Sequence, residues 1–204
     1  MSDSDDRSEH KSSTGPDRRG VLIAGSAIAA TGLLPPDHAE AVAKKTPDRL
    51  PTQAGDRIQL IKGEHNGKLV RPEMLEPNGR PIEAFPFDPE NEVLRRKYRL
   101  NRLLVMRLDP AEMNDDTRAR TDDSGVLVFS AICTHRGCTI KSWLADEREM
   151  RCHCHLSRFA ALEEGRVLNG PAKRQLPMVP IKVDEEGYVV ATDTFLGKVG
   201  AAKK

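Results

Sequence analysis

Aromatic residues are scarce in this chain: one Trp, two Tyr and five Phe among 204 residues. With 38% hydrophobic and 31% charged residues besides, the chain suits one modest domain plus extra segments rather than two full cores. Charge of one sign is also lacking. Lys and Arg number 32 against 31 Asp and Glu, a net charge of +1, and no Lys/Arg-rich run occurs, which argues against a nucleic-acid binder. The longest apolar run, VLIAGSAIAATGLL (21–34), has 14 residues. At ~1.5 Å per residue it reaches about 21 Å as a helix, short of a ~30 Å hydrocarbon core. No long amphipathic helix, Ser-His-Asp set, phosphate loop or internal repeat is present.

What is there at the N-terminus reads as an address. A polar stretch ends in PDRRG, the apolar run follows, Pro35-Pro36 stops it, and small residues flank Ala39-Glu40-Ala41 and Ala41-Val42-Ala43. This layout over residues 1–43 predicts an export signal, and paired Arg18-Arg19 resembles a twin-arginine signal that carries folded proteins to the periplasm. Asp17 and Val21 depart from the usual pattern, and a retained membrane anchor through residues 21–34 is the alternative. Beyond residue 43 there are 28 Lys and Arg against 24 Asp and Glu, a mildly basic remainder.

Residues 44–57 (KKTPDRLPTQAGDR) read as an extended linker before a domain over 58–204, and five prolines between 64 and 92 predict a long surface excursion. IQLIKG (58–63), LLVMRL (103–108) and VLVFSAI (126–132) have strand length. Asp109 before Pro110 predicts a capped helical turn. The last third punctuates itself into three hairpins, IKSWL/MRC, RFAAL/RVL and PIKVD/YVVAT. The expected fold is all-β, an antiparallel sandwich or barrel of small sheets.

All four cysteines lie between 133 and 154, in CTHRGC (133–138) and MRCHCHLSRF (150–159). A structural zinc site could take Cys133, His135, Cys152 and His155. Two disulfides are a second option in an exported chain. Neither accounts for six groups at such regular offsets. The two segments resemble the cluster-binding boxes of the Rieske iron–sulfur family, C-T-H-x-G-C and C-x-C-H-x-S, and NGPAKRQLP (169–177) is similar to the family's Gly-Pro-Ala loop. The detailed resemblance covers roughly residues 126–192.

That resemblance implies a cluster-binding subdomain over about 130–175 at one tip of a Rieske-type sandwich, holding one [2Fe–2S] cluster. Cys133 and Cys152 would hold one iron, His135 and His155 the other, and Cys138 and Cys154 would form a disulfide. Histidine in place of two thiolates raises the potential to ~ −150 to +300 mV, against ~ −400 mV for plant-type ferredoxins. Ser157 matches a serine that donates to a cluster sulfide. Phe159 stands where high-potential members carry a tyrosine hydroxyl, and Pro171 would shield the cluster. His153, where the family commonly has proline, reads as a solvent-facing loop residue.

Such a chain passes one electron at a time to or from a redox partner, and no stand-alone catalysis is implied. The partner would be an oxidoreductase large subunit, a cytochrome or a quinol-oxidising membrane subunit. In quinol-oxidising members the variable residue of the first box is typically apolar. Here it is Arg136, with Arg158 in the second box and Leu156 between. A charged tip must be desolvated to enter an apolar pocket. The expectation is therefore a periplasmic electron-transfer subunit, similar to the small subunit of arsenite oxidase, with the iron–sulfur subunit of a quinol–cytochrome c reductase as the alternative.

Overall fold

The computed structural model describes residues 46–201, so the expected export signal or anchor lies outside the described residues. Among these, no helix is long and apolar enough to cross a membrane. The strands run β1 (Arg57–Leu60), β2 (Ile82–Asp88), β3 (Val93–Leu94), β4 (Leu103–Arg107), β5 (Val126–Ser130), β6 (Ser142–Leu144), β7 (Glu149–Arg151), β8 (Arg158–Ala160), β9 (Arg166–Asn169), β10 (Met178–Val179), β11 (Ile181–Val183) and β12 (Val189–Ala191). One α-helical turn, α1 (Asp115–Arg118), and four 3-10 turns complete them. Asp109 caps the last of those 3-10 turns, its carboxylate accepting from the N–H of Ala111.

Antiparallel pairing orders the large sheet β10-β5-β4-β2-β1-β12-β11, with β3 beside β2. Only Pro180 separates β10 from β11, so the two ends of the sheet are joined in the chain and the sheet is nearly closed. A second sheet, β6-β7-β8-β9, carries two of the expected hairpins, and β11-β12 is the third. All-β is therefore the fold, but the sheets are unequal: one of eight strands and one of four.

Why residues 103–106 of β4 and 126–129 of β5 are all apolar, rather than alternating, follows from what lies on each side. Leu103, Val105, Val126 and Val128 face one core with Ile58, Leu60, Ala84 and Ile181. Leu104, Met106, Leu127 and Phe129 face a second core with Met150, Phe159 and Leu176 from the small-sheet region. Fully burying each such side chain stabilises by about 1.5–3 kcal/mol. The small sheet is thus seated on the outer face of the large one.

Two expectations are corrected. Residues 64–92 are not one surface excursion, because β2 is a strand between β1 and β4 with Glu83, Ala84, Phe85 and Asp88 buried. Pro86 is accommodated because β4 pairs with β2 only as far as Ala84, so no ladder bond to β4 requires its missing N–H. Its carbonyl accepts from the N–H of Arg95 at 2.9 Å. Nor do the described residues of the expected linker (44–57) stand apart from the domain, since Arg57 already opens β1. The buried guanidinium of Arg95 donates to Asp56 (2.9 Å), Asp88 (2.8 Å) and the Pro47 carbonyl (2.7 Å), while Asn101 accepts from the N–H of Thr52. Removing one partner from a buried ionic set of this kind costs about 3–5 kcal/mol, so this segment is tied down.

Candidate metal centre

Three loops at the edge of the small sheet converge. The first, Cys133–Cys138, lies between β5 and β6; the second, Cys152–Ser157, joins β7 to β8; the third, Gly170–Leu176, joins β9 to β10. The first two share a frame. In one, the N–H of Cys133 donates to the carbonyl of Cys138 and that of Gly137 to the carbonyl of Cys133. In the other, Cys152 donates to Ser157 and Leu156 to Cys152. The residue at the fifth place is left-handed in both, Gly137 at φ 75° and Leu156 at φ 60°. That conformation costs a residue with a β-carbon about 1–2 kcal/mol.

This shared frame places equivalent groups side by side. Cys133 and Cys152 are each 1% exposed and carry free thiols. The rings of His135 and His155 meet edge to face, 4.7 Å between centroids. Cys138 and Cys154 are joined as a disulfide across the two loops, and the Cys152 sulfur lies within 4.8 Å of both disulfide sulfurs. All six expected groups come together.

Their electrostatics suit a cation. Burial pushes the Cys133 thiol up to about 11, against the backbone N–H groups of His135 and Arg136 that favour its thiolate. A buried thiol so placed ionises readily only beside positive charge or a metal. Burial, with His155 and Arg136 nearby, lowers the pKa of His135 and favours the neutral imidazole that ligates metals. The Nδ1 atom of His135 is buried with no hydrogen-bond partner among the described residues. Such an orphan atom, beside two free buried thiols, fits a bound metal group.

Around this set, Ser157 is fully buried and its Oγ accepts from the N–H of Ala172 at 3.1 Å. Among the described residues its own hydrogen has no acceptor, leaving it free to donate. Phe159 is fully buried in the core beneath, and Pro171 is exposed. His153 is exposed, with Nε2 3.7 Å from the Cys154 sulfur. Arg136 is exposed, whereas Arg158 pairs with Glu149 across β7 and β8. The sequence reading missed Thr134, whose hydroxyl donates to the Arg174 carbonyl at 2.7 Å and ties the first loop to the third. It also missed Arg99, which donates to the Gly137 carbonyl at 3.2 Å. Thr134 lies within the first box and was findable there. Arg99 sits in a distant turn and left no signal.

Gly170 holds the third loop against the second. A β-carbon there would lie 2.5 Å from Ser157 Cα and 2.7 Å from its nitrogen. Gly170→Ala must therefore push the loops apart and break the Ala172–Ser157 bond. The expected outcome is a lower reduction potential and a thermal midpoint down by about 4–8 °C, for a cost near 2 kcal/mol. Redox titration and a thermal melt check it; an unchanged potential would remove Ser157 from the tuning of the site.

Paired buried thiols and paired imidazoles on the outer side, clamped by a disulfide at the edge of a small antiparallel sheet, form a donor set that fits an iron–sulfur cluster held by two cysteines and two histidines. Residues 89–180 match the family model described as the Rieske [2Fe-2S] domain. The chain is 33% identical over 121 residues to the cytochrome bc1 complex Rieske iron-sulfur subunit of Streptomyces lividans, covering 59% of this chain and 68% of that one. It is 34% identical over 129 residues to the corresponding subunit of Corynebacterium glutamicum, but spans only 32% of that subunit's length. A putative respiratory nitrate reductase Rieske subunit of Haloferax mediterranei is 30% identical over 145 residues, 71% of this chain and 61% of that one. The soluble domain of Rieske protein II from Sulfolobus acidocaldarius aligns over 50% of this chain and 65% of that one, at 19% identity and a TM-score of 0.40. The chain belongs to the Rieske iron–sulfur family, whose domain carries a [2Fe–2S] cluster.

Proposed function

We propose that this chain is the one-electron carrier of an exported oxidoreductase system, with Cys133 and Cys152 as the inner ligands of the cluster and His135 and His155 as the outer ones. The observation that carries the assignment is the difference in exposure: both thiols are buried, while His155 is exposed and His135 partly so. When bound, the cluster supplies a site that gains and loses one electron. The protein does the rest. The buried cysteines exclude water from the inner side, and the imidazole side reaches the surface where a partner can approach. The disulfide and Thr134 hold the loops in register, so the outer side keeps its geometry when a partner docks.

Exposed Arg136 at the tip favours a polar protein face over an apolar quinol pocket, since burying an unpaired guanidinium costs several kcal/mol. A periplasmic partner of an oxidoreductase large subunit or a cytochrome is therefore the reading we adopt. Purification of the native complex from cell fractions tests it. A brown complex released from the periplasm without b-type haem is expected. A membrane-bound complex containing b-type haem would instead establish the quinol–cytochrome c reductase role suggested by the bc1-type relatives.

A further inference from the structure

The second loop contains a residue that its twin avoids. At the left-handed place where the first loop has Gly137, the second has Leu156, 60% exposed, the most exposed large hydrophobic residue among those described. Glycine takes that conformation without strain, and a leucine does not. Nor does this leucine gain from burial in the free protein. It is unfavourable both for the backbone and for the side chain, and it stands next to the exposed imidazole of His155.

The three loops themselves carry one sign of charge, although Glu64 and Glu76 line a cavity with Lys141, and Glu164 one with Lys173. No Asp or Glu occurs in residues 131–144, 150–162 or 165–183, which include all three loops. Arg136, Lys141 and Lys173 on or beside these loops are exposed and form no ion pair among the described residues. Complementary charge steers encounter, and a central apolar anchor holds the docked pair.

We propose that Leu156 is a docking knob, seated in electron transfer in an apolar depression on a partner protein whose surrounding face carries carboxylates. The inference rests on the reading of the chain as an electron carrier. A protein is the occupant rather than an anionic lipid surface, because the knob adjoins the imidazole edge through which an electron leaves, and a lipid accepts none.

The test uses the full, cluster-loaded, reduced protein in stopped-flow mixing with two purified c-type cytochromes, one acidic and one basic. Wild-type protein reduces the acidic cytochrome faster, with a rate that falls as salt rises. Leu156→Gly keeps the EPR spectrum, the potential, the salt slope and a thermal midpoint no lower than wild type, while its rate falls about tenfold for the lost apolar anchor. Leu156→Asn, of similar size but polar and tolerant of the left-handed region, loses rate in the same way. Preference for the basic cytochrome overturns the proposal, as does an unchanged rate in both variants. A lower midpoint in Leu156→Gly would make the leucine a fold-holding residue and also overturn it. Binding of the wild type to anionic phospholipid vesicles that is lost in both variants, with cytochrome rates unaltered, would point to a membrane instead. Failure of the wild type to give an EPR signal on reduction defeats the carrier reading itself, a result separable from all of these.

Discussion

Cys133→Ser should yield a protein with no iron and no EPR signal on reduction, whereas His153→Ala should keep both. The pair separates the ligand set from its neighbours. Cys133 is 1% exposed, with the N–H groups of His135 and Arg136 aimed at its sulfur, and no other free thiol except Cys152 is available to replace it. Serine is shorter and holds its proton far more tightly, so it cannot present the same anion at neutral pH. Its hydroxyl would also be buried against the apolar core beneath the small sheet, at about 1–3 kcal/mol if unpaired. His153 differs: it is exposed, and among the described residues its one side-chain hydrogen-bond contact is with the neighbouring Cys154 sulfur. Iron analysis and EPR check both variants. Full iron content in Cys133→Ser would refute the assignment of the inner ligands.

The second large effect belongs to the disulfide. Replacing Cys138 and Cys154 together by alanine should lower the thermal midpoint by about 6–12 °C, for a loss of about 3 kcal/mol on opening a loop of this length. The closed loop spans a sequence separation of 16 residues. Cys138 is only half-buried and Cys154 is exposed, so burial does little to hold the loop tips together once the bond is gone. The same variant should lose its cluster faster under air, measured as decay of the EPR signal. An unchanged midpoint with a stable cluster would mean that Thr134, through Arg174, and the hydrogen-bonded frames suffice.

Local chemistry was legible in the sequence, and long-range chemistry was not. The three C-terminal hairpins could be read because each strand pair adjoins its own turn, so the information is contiguous. The six groups of the site were legible through resemblance, because the two boxes that carry it are contiguous six-residue loops, each closing on itself. β2 was obscured by Pro81, Pro86 and Pro89, which local rules assign to loops. Only the point at which β4 stops pairing makes Pro86 acceptable, and pairing range is a tertiary property. Likewise the attachment of residues 47–56 depends on Arg95 reaching two carboxylates 39 and 7 positions away. No composition rule for Pro-rich, charged segments contains that partner. Arg99 at Gly137 belongs to the same class, a contact made across 38 positions.

β4 and β5 form a party wall. Each lends alternate side chains to two rooms, the interior of the large sheet and the chamber under the cluster loops. The cluster region is therefore not a cassette that can be lifted out at its hairpins. Excised alone, residues 130–175 would leave Met150 and Phe159 without the side chains of Leu104, Met106, Leu127 and Phe129 against which they pack. An engineer wishing to transplant this redox site to another scaffold must carry the wall with it, and carrying the wall imports a second interior that must be filled from the other side.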